Sequence, residues 1–151
     1  MKVLKFGGTS VKNGQAMKQV SQIIKNYHSP LLVVLSATAG TTNDLLKLMD
    51  EAKNKRLDAA NEIIESLRIK HKAILKELLE AKESSKENLF NEYFSDLKNI
   101  AFKASKNEGN FLSLLDRAAS YGELISTQIF DAYLKSKGID SEWFDAREVI
   151  I

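Results

Sequence analysis

The 151 residues hold 44% hydrophobic side chains, 22 basic and 20 acidic groups, a formal net charge of +2, two histidines and no cysteine. That is one domain's worth of chain, long enough to bury a core; its mixed charge gives no pull toward nucleic acid, and no apolar run approaches a membrane span. Disulfides, thiolate metal sites and a cysteine nucleophile are excluded, and His28 and His71, far apart in sequence, are a poor basis for a zinc site.

Val3-Leu4-Lys5-Phe6 reads as a short strand that breaks at Gly7 and Gly8. The same N-terminus lacks the cleavage site of a secretory signal, so the cytoplasm is the expected compartment. From Asn13, a candidate N-cap, Met17, Val20, Ile23 and Ile24 recur at helical spacing. That helix should stop before Ser29-Pro30. Leu31 to Leu35 is an uninterrupted apolar run, as expected of a strand covered on both faces. A helix follows from near Thr42-Asn43. Strand, helix, strand, helix with short connections predicts a parallel sheet flanked by helices, an α/β fold.

The middle is helical in pattern. Ile63, Ile64, Leu67, Ile74, Leu75, Leu78 and Leu79 mark one run, from about residue 57 to 82. Leu89, Phe90, Tyr93, Phe94, Leu97, Ile100 and Ala101 mark a second, with Glu83-Ser84-Ser85-Lys86 between them. A helical hairpin inserted beside the sheet is predicted, its charges forming a solvated face. A further helix spans about 110 to 137 and ends at Gly138. Ile139 to Phe144 reads as another strand, and Val149-Ile150-Ile151 as the start of one more. Because the chain stops inside an apolar run, a fragment of a longer protein is expected.

Three stretches are candidates for chemistry. In KFGGTS, residues 5 to 10, Lys5 projects from the face opposite Leu4 and Phe6, near the strand's C-terminal end. That end borders the ligand crevice of open parallel sheets. Glycines there admit backbone N–H groups to an anion, and the lysine adds charge. The spacing matches neither a Walker A loop nor GxGxxG, since Thr9 takes the second glycine's place. A tight turn with a solvated lysine is the plainer reading, and spacing alone favours it.

SATAGTTND, residues 36 to 44, leaves a small-residue loop after the second strand. Ser36, Thr38, Thr41 and Thr42 supply hydroxyls, and the following helix start favours an anion. Thr41 with Asp44 equally resembles a capping box, so this loop is evenly poised. In SYGELIST, residues 120 to 127, Gly122 costs about 1 kcal/mol relative to alanine inside a helix. It lies on the stripe Phe111, Leu115, Ala118, Ile125, Ile129, which implies close approach to another backbone. Glu123 beside it is either a carboxylate for a ligand ammonium or an ordinary exposed glutamate; spacing favours the latter.

Together, KFGGTSV (5 to 11), VVLSATAGTTN (33 to 43), SYGELIST (120 to 127) and WFDAR (143 to 147) resemble aspartate kinases, in that order and at similar spacing. The resemblance runs from residue 1 to 151 and is weakest over 57 to 107. WFDAR is most similar to the monofunctional, lysine-sensitive type; the bifunctional aspartokinase–homoserine dehydrogenases are the alternative, and a non-catalytic amino-acid-binding module on the same sheet is a further one.

The resemblance implies the amino acid kinase fold, a three-layer arrangement with helices on both faces of a parallel-rich sheet. It implies transfer of the γ-phosphoryl group of MgATP to the side-chain carboxylate of L-aspartate, giving 4-phospho-L-aspartate on the way to lysine, threonine and methionine. By motif, Lys5 would neutralise the transferring group, and Gly7, Gly8, Thr9 and Ser10 would meet the ATP phosphates. Ser36 would lie at the reaction centre, and Thr42 with Glu123 would hold aspartate. No protein metal ligand is implied, since Mg2+ arrives with ATP. A homo-oligomer is implied for the complete enzyme. The family's remaining nucleotide lobe, its substrate arginine, its Gly-Arg-Gly-Gly-Ser-Asp stretch and its ACT-type regulatory domains have no counterpart in these residues. The chain is therefore expected to be the N-terminal, substrate-binding part of a catalytic domain, with little activity alone.

Overall fold

The computed structural model describes residues 1 to 79 and 88 to 149. The predicted 83 to 86 linker, the end of the helix before it, and Ile150 with Ile151 lie outside them. The elements are β1 (Lys2–Phe6), α1 (Gly14–Lys25), β2 (Leu31–Leu35), α2 (Thr41–Lys53), α3 (Leu57–Leu79), α4 (Asn91–Ser105), α5 (Phe111–Ser136) and the short α6 (Ala146–Val149).

β1 and β2 pair in parallel, with Lys2 opposite Leu31 and Phe6 opposite Leu35. The helix between them supplies the crossover connection that a parallel pair requires. Leu4, Phe6, Leu31, Val33 and Leu35 turn toward the helices. Val3, Leu32 and Val34 occupy the opposite face and are 60%, 45% and 42% exposed. The uninterrupted run in β2 predicts cover on both faces; among the described residues only one is covered.

Local signals set the helix ends. Asn13 caps α1, its side chain accepting from the Ala16 N–H at 2.9 Å, and Asn110 caps α5 by accepting from Ser113 at 3.0 Å. α5 closes on Gly138, in the left-handed region at φ 71°. There the N–H of Gly138 reaches the Lys135 carbonyl and that of Ile139 the Leu134 carbonyl, both at 3.0 Å. These paired bonds satisfy carbonyls that a helix end leaves open.

The hairpin is no satellite. α3 packs on α1, α2, α4 and α5, and Ile64, Leu67, Leu75 and Leu78 sit in the same core as Met17, Leu48, Leu97 and Ile129. The predicted strand over Ile139 to Phe144 does not form, because among the described residues no strand pairs with it: the sheet there has two strands, β1 and β2. Side chains fasten this segment to α5 instead. Ser141 donates to Asp131 at 2.7 Å and the Trp143 indole to Thr127 at 2.9 Å. Val149 ends α6 rather than opening a strand.

Candidate active site

Three loops and helix faces meet at Ala37. β2 runs out through Ser36, whose N–H donates to the Phe6 carbonyl at 3.0 Å and so continues the ladder one residue. The Ser36 carbonyl accepts from the Ser126 hydroxyl of α5 at 2.8 Å. Two glycines then close on the next residue. A Cβ on Gly8 would stand 3.1 Å from the Ala37 carbonyl oxygen. One on Gly122 would stand 2.9 Å from the Ala37 methyl and 3.4 Å from Leu45 and Thr41 side-chain carbons. The helix glycine is thus explained by close approach, though to the side chains of Ala37, Leu45 and Thr41 rather than to another backbone as its stripe position predicts.

The turn between β1 and α1 holds Gly7 to Ser10, with the Ser10 N–H donating to the Gly7 carbonyl at 3.0 Å. Gly7 differs from Gly8: a Cβ there meets nothing within 4 Å. The fold needs Gly8 bare, whereas Gly7 leaves open space beside the backbone. Lys5 is exposed on the uncovered face of β1, Thr9 is exposed and Ser10 half-buried.

The hydroxyls of the 36 to 44 loop divide into two sets. Thr38 and Thr41 are each 1% exposed and point inward; Ser36 is half-buried and Thr42 exposed. Thr41 is not a capping-box residue. Gly40, at φ 79°, occupies the N-cap of α2 and offers no side-chain cap, so the first turn of α2 keeps N–H groups free of a side-chain acceptor. The Thr41 hydroxyl is instead 2.6 Å from that of Thr38 and accepts from the Lys70 ammonium at 3.0 Å. Lys70 also donates to the Ala39 carbonyl at 2.7 Å. Burial lowers the Lys70 ammonium from its ordinary value, and Asp44 opposes that.

His71, fully buried, completes this set: Nε2 is 3.2 Å from the Thr38 hydroxyl and Nδ1 is 2.7 Å from the Leu67 carbonyl. Desolvation lowers its pKa to about 4, so the ring is neutral near pH 7. Composition makes this histidine look inert; only its place on the α3 core stripe, four residues from Leu67, hints at burial.

Glu123 is exposed on α5 next to Gly122, and among the described residues its carboxylate has no hydrogen-bond partner. Gly8 and Gly122 close on Ala37, and Ser126 of α5 holds the Ser36 carbonyl, which brings together the segments that carry Gly7, Ser36, Thr42 and Glu123; Lys5 lies on β1, the strand before the first of them. The WFDAR segment is held against α5. Asp145 pairs with Arg147 at 2.7 Å, the guanidinium holding that carboxyl below its usual range, while Arg147 reaches Ser120 on α5 at 3.3 Å.

Loops at the C-terminal ends of parallel strands are where an α/β fold places a small-molecule site. The model of the amino acid kinase family matches residues 1 to 151, and the chain belongs to that family. Aspartokinase 1, chloroplastic, of Arabidopsis thaliana is 34% identical over 97% of the chain and 26% of its own length. Lysine-sensitive aspartokinase 3 of Escherichia coli K12 is 32% identical over 98% of the chain and 31% of its own length. The solved E. coli aspartokinase III in complex with aspartate and ADP superposes with a TM-score of 0.86 at 32% identity, over 99% of this chain and 32% of that one. The chain thus spans about a quarter to a third of the relatives it matches.

Two measurements check this geometry. Gly122→Ala should lose about 1 kcal/mol in urea denaturation, overpacking of roughly 1–3 kcal/mol outweighing the helix-propensity gain of about 1. For His71, the unfolded ring takes up a proton near pH 6.5 and the folded ring only near 4. Its stabilising contribution is therefore full above pH 6.5 and lost as pH falls toward 4. The wild type should lose on the order of 3 kcal/mol more than His71→Gln across that window.

Proposed function

We propose that this chain is the substrate-binding portion of an aspartate kinase catalytic domain, which phosphorylates the side-chain carboxylate of L-aspartate from MgATP. What carries the reading is the gathering of the Gly7-Gly8 turn, Ser36 and the Glu123 helix on one residue, Ala37. In this reading the turn handles an anion and the exposed Glu123 carboxylate accepts an ammonium group. The likeness to a protein solved with aspartate and ADP supports it.

Phosphoryl transfer between oxygens needs positioning and charge stabilisation rather than a protein nucleophile. In this reading the aspartate carboxylate attacks the γ-phosphorus, the bond to the β-bridging oxygen breaks, and ADP leaves. Lys5 offsets charge on the transferring group, and the open backbone at Gly7 with Gly8, Thr9 and Ser10 receives the phosphates. Ser36 sits where acceptor and phosphoryl group meet, while Thr42 and Glu123 orient aspartate, Glu123 accepting from its ammonium. Among the described residues no three acidic or histidine side chains gather as a metal site. No step is routed through a protein-held metal; Mg2+ is assigned to the nucleotide's phosphates. The cytoplasm is the proposed compartment. Among the described residues no helix is long and apolar enough to cross a membrane.

Glu123→Gln in the full-length gene product should raise the KM for aspartate about 10- to 100-fold, the worth of a hydrogen bond to a charged group, with the KM for ATP nearly unchanged. Lys5→Ala should lower kcat by about a hundredfold or more, as loss of a transition-state charge partner does. An unchanged kcat would remove Lys5 from the mechanism. The 151-residue chain alone should show little turnover in a coupled ATPase assay with aspartate; turnover matching the full-length product would refute the assignment as a portion.

A further inference from the structure

We propose that His71 and Lys70 of α3 are positioning residues for the substrate loop: a one-way chain of hydrogen bonds between them locks residues 38 to 41. This rests on the reading of that loop as part of the aspartate site.

The direction of the chain follows from which groups can donate. The Leu67 carbonyl only accepts, so the His71 proton sits on Nδ1, 2.7 Å away. In the neutral ring Nε2 is then an acceptor, and its one neighbour of that kind is the Thr38 hydroxyl at 3.2 Å. Thr38 spends its proton there and takes one from Thr41, 2.6 Å away. Thr41, having donated, accepts from the Lys70 ammonium at 3.0 Å, which can only donate. Every link has one permitted sense, and the two ends are fixed by groups of a single kind.

Both ends lie one residue apart on α3, while the middle lies on the loop. Lys70 adds a second hold, on the Ala39 carbonyl at 2.7 Å. Because Thr38, Thr41 and His71 are 0–1% exposed, breaking any link leaves a buried polar group unpaired, which makes the network all-or-none. It sits directly beneath Thr42, the first exposed hydroxyl after it. None of the four side chains needs to touch a ligand for the loop's shape to depend on them.

The experiment uses [15N]histidine labelling, with exposed His28 as the internal control. At pH 6 to 7 His71 should be the neutral Nδ1–H tautomer; the Nε2–H tautomer would overturn the chain. Thr38→Val keeps side-chain shape and removes the link. It should speed hydrogen exchange at the Thr41 amide, which donates to the Thr38 carbonyl at 3.0 Å, by about tenfold or more, the scale of one buried hydrogen bond. Amides of α3 should be unchanged, and Thr38→Ser should restore protection. Unaltered Thr41 exchange would sink the proposal. In the full-length gene product, Thr38→Val and Lys70→Met should raise the KM for aspartate about tenfold with kcat changed less than about threefold. A fall in kcat at constant KM would contradict a positioning role. If the unaltered product does not phosphorylate aspartate, the functional reading fails, and tautomer and exchange still decide the locking chain.

Discussion

The fold around the site depends on keeping space free at Ala37. Its carbonyl faces Gly8 and its methyl faces Gly122, each at a distance where one added carbon forces movement. Those contacts tie the end of β2 to the turn after β1 and to the middle of α5, the latter far along the chain from both. A side chain at either glycine would push the strand end away from the helix. Gly122 accepts a helix-propensity cost of about 1 kcal/mol for this approach, and the buried core of α5 around Ile125, Ile129 and Phe130 offsets it.

α3 extends the same control to the other loops. Near its C-terminal end Glu77 accepts from the Gly14 N–H at 3.2 Å, at the start of α1. About two turns earlier the adjacent His71 and Lys70 hold the loop before α2. A single rigid helix thus sets the relative positions of the segments that follow both strands. That explains why the predicted insertion sits inside the core: a helix docked loosely beside the sheet would not order two loops on it.

Much of this was legible in the residues. Asn13, Asn110 and Gly138 announce helix ends through local chemistry, and the alternation at Leu4, Lys5 and Phe6 gives the correct faces of β1. Gly122 on an apolar stripe signals close packing before any partner is known. What the sequence cannot show is where a residue's partners come from when they are distant. His71 is coupled to Thr38, 33 positions away, and no local pattern marks that pair. The segment from Ile139 to Phe144 fails for the complementary reason. It is apolar and extended enough for a strand, but strand formation needs a neighbour's hydrogen bonds, and here Ser141 and Trp143 bind α5 instead. Thr41 and Asp44 fit a capping box by spacing, yet Lys70 and Thr38 claim the threonine hydroxyl and Gly40 takes the cap.

The two adjacent glycines separate scaffold from site more sharply than any motif does. Gly8 has a protein reason to be glycine, since the Ala37 carbonyl stands against it. Gly7 has none: its φ is not in the left-handed region and no atom lies where a Cβ would go. A residue with free choice of side chain that still lacks one leaves its N–H and Cα open to something outside the chain. The same division holds elsewhere around the site. Thr38 and Thr41 are buried and spent on internal bonds, whereas Thr42, one residue on, is exposed. Gly122 is buried against the loop, whereas Glu123 beside it is exposed. At each of the three converging segments one residue makes the fold and its neighbour faces outward. That alternation lets the chain hold the shape of the site with uncharged, packed groups. It also leaves Lys5 and Glu123 exposed, so that neither charge is buried.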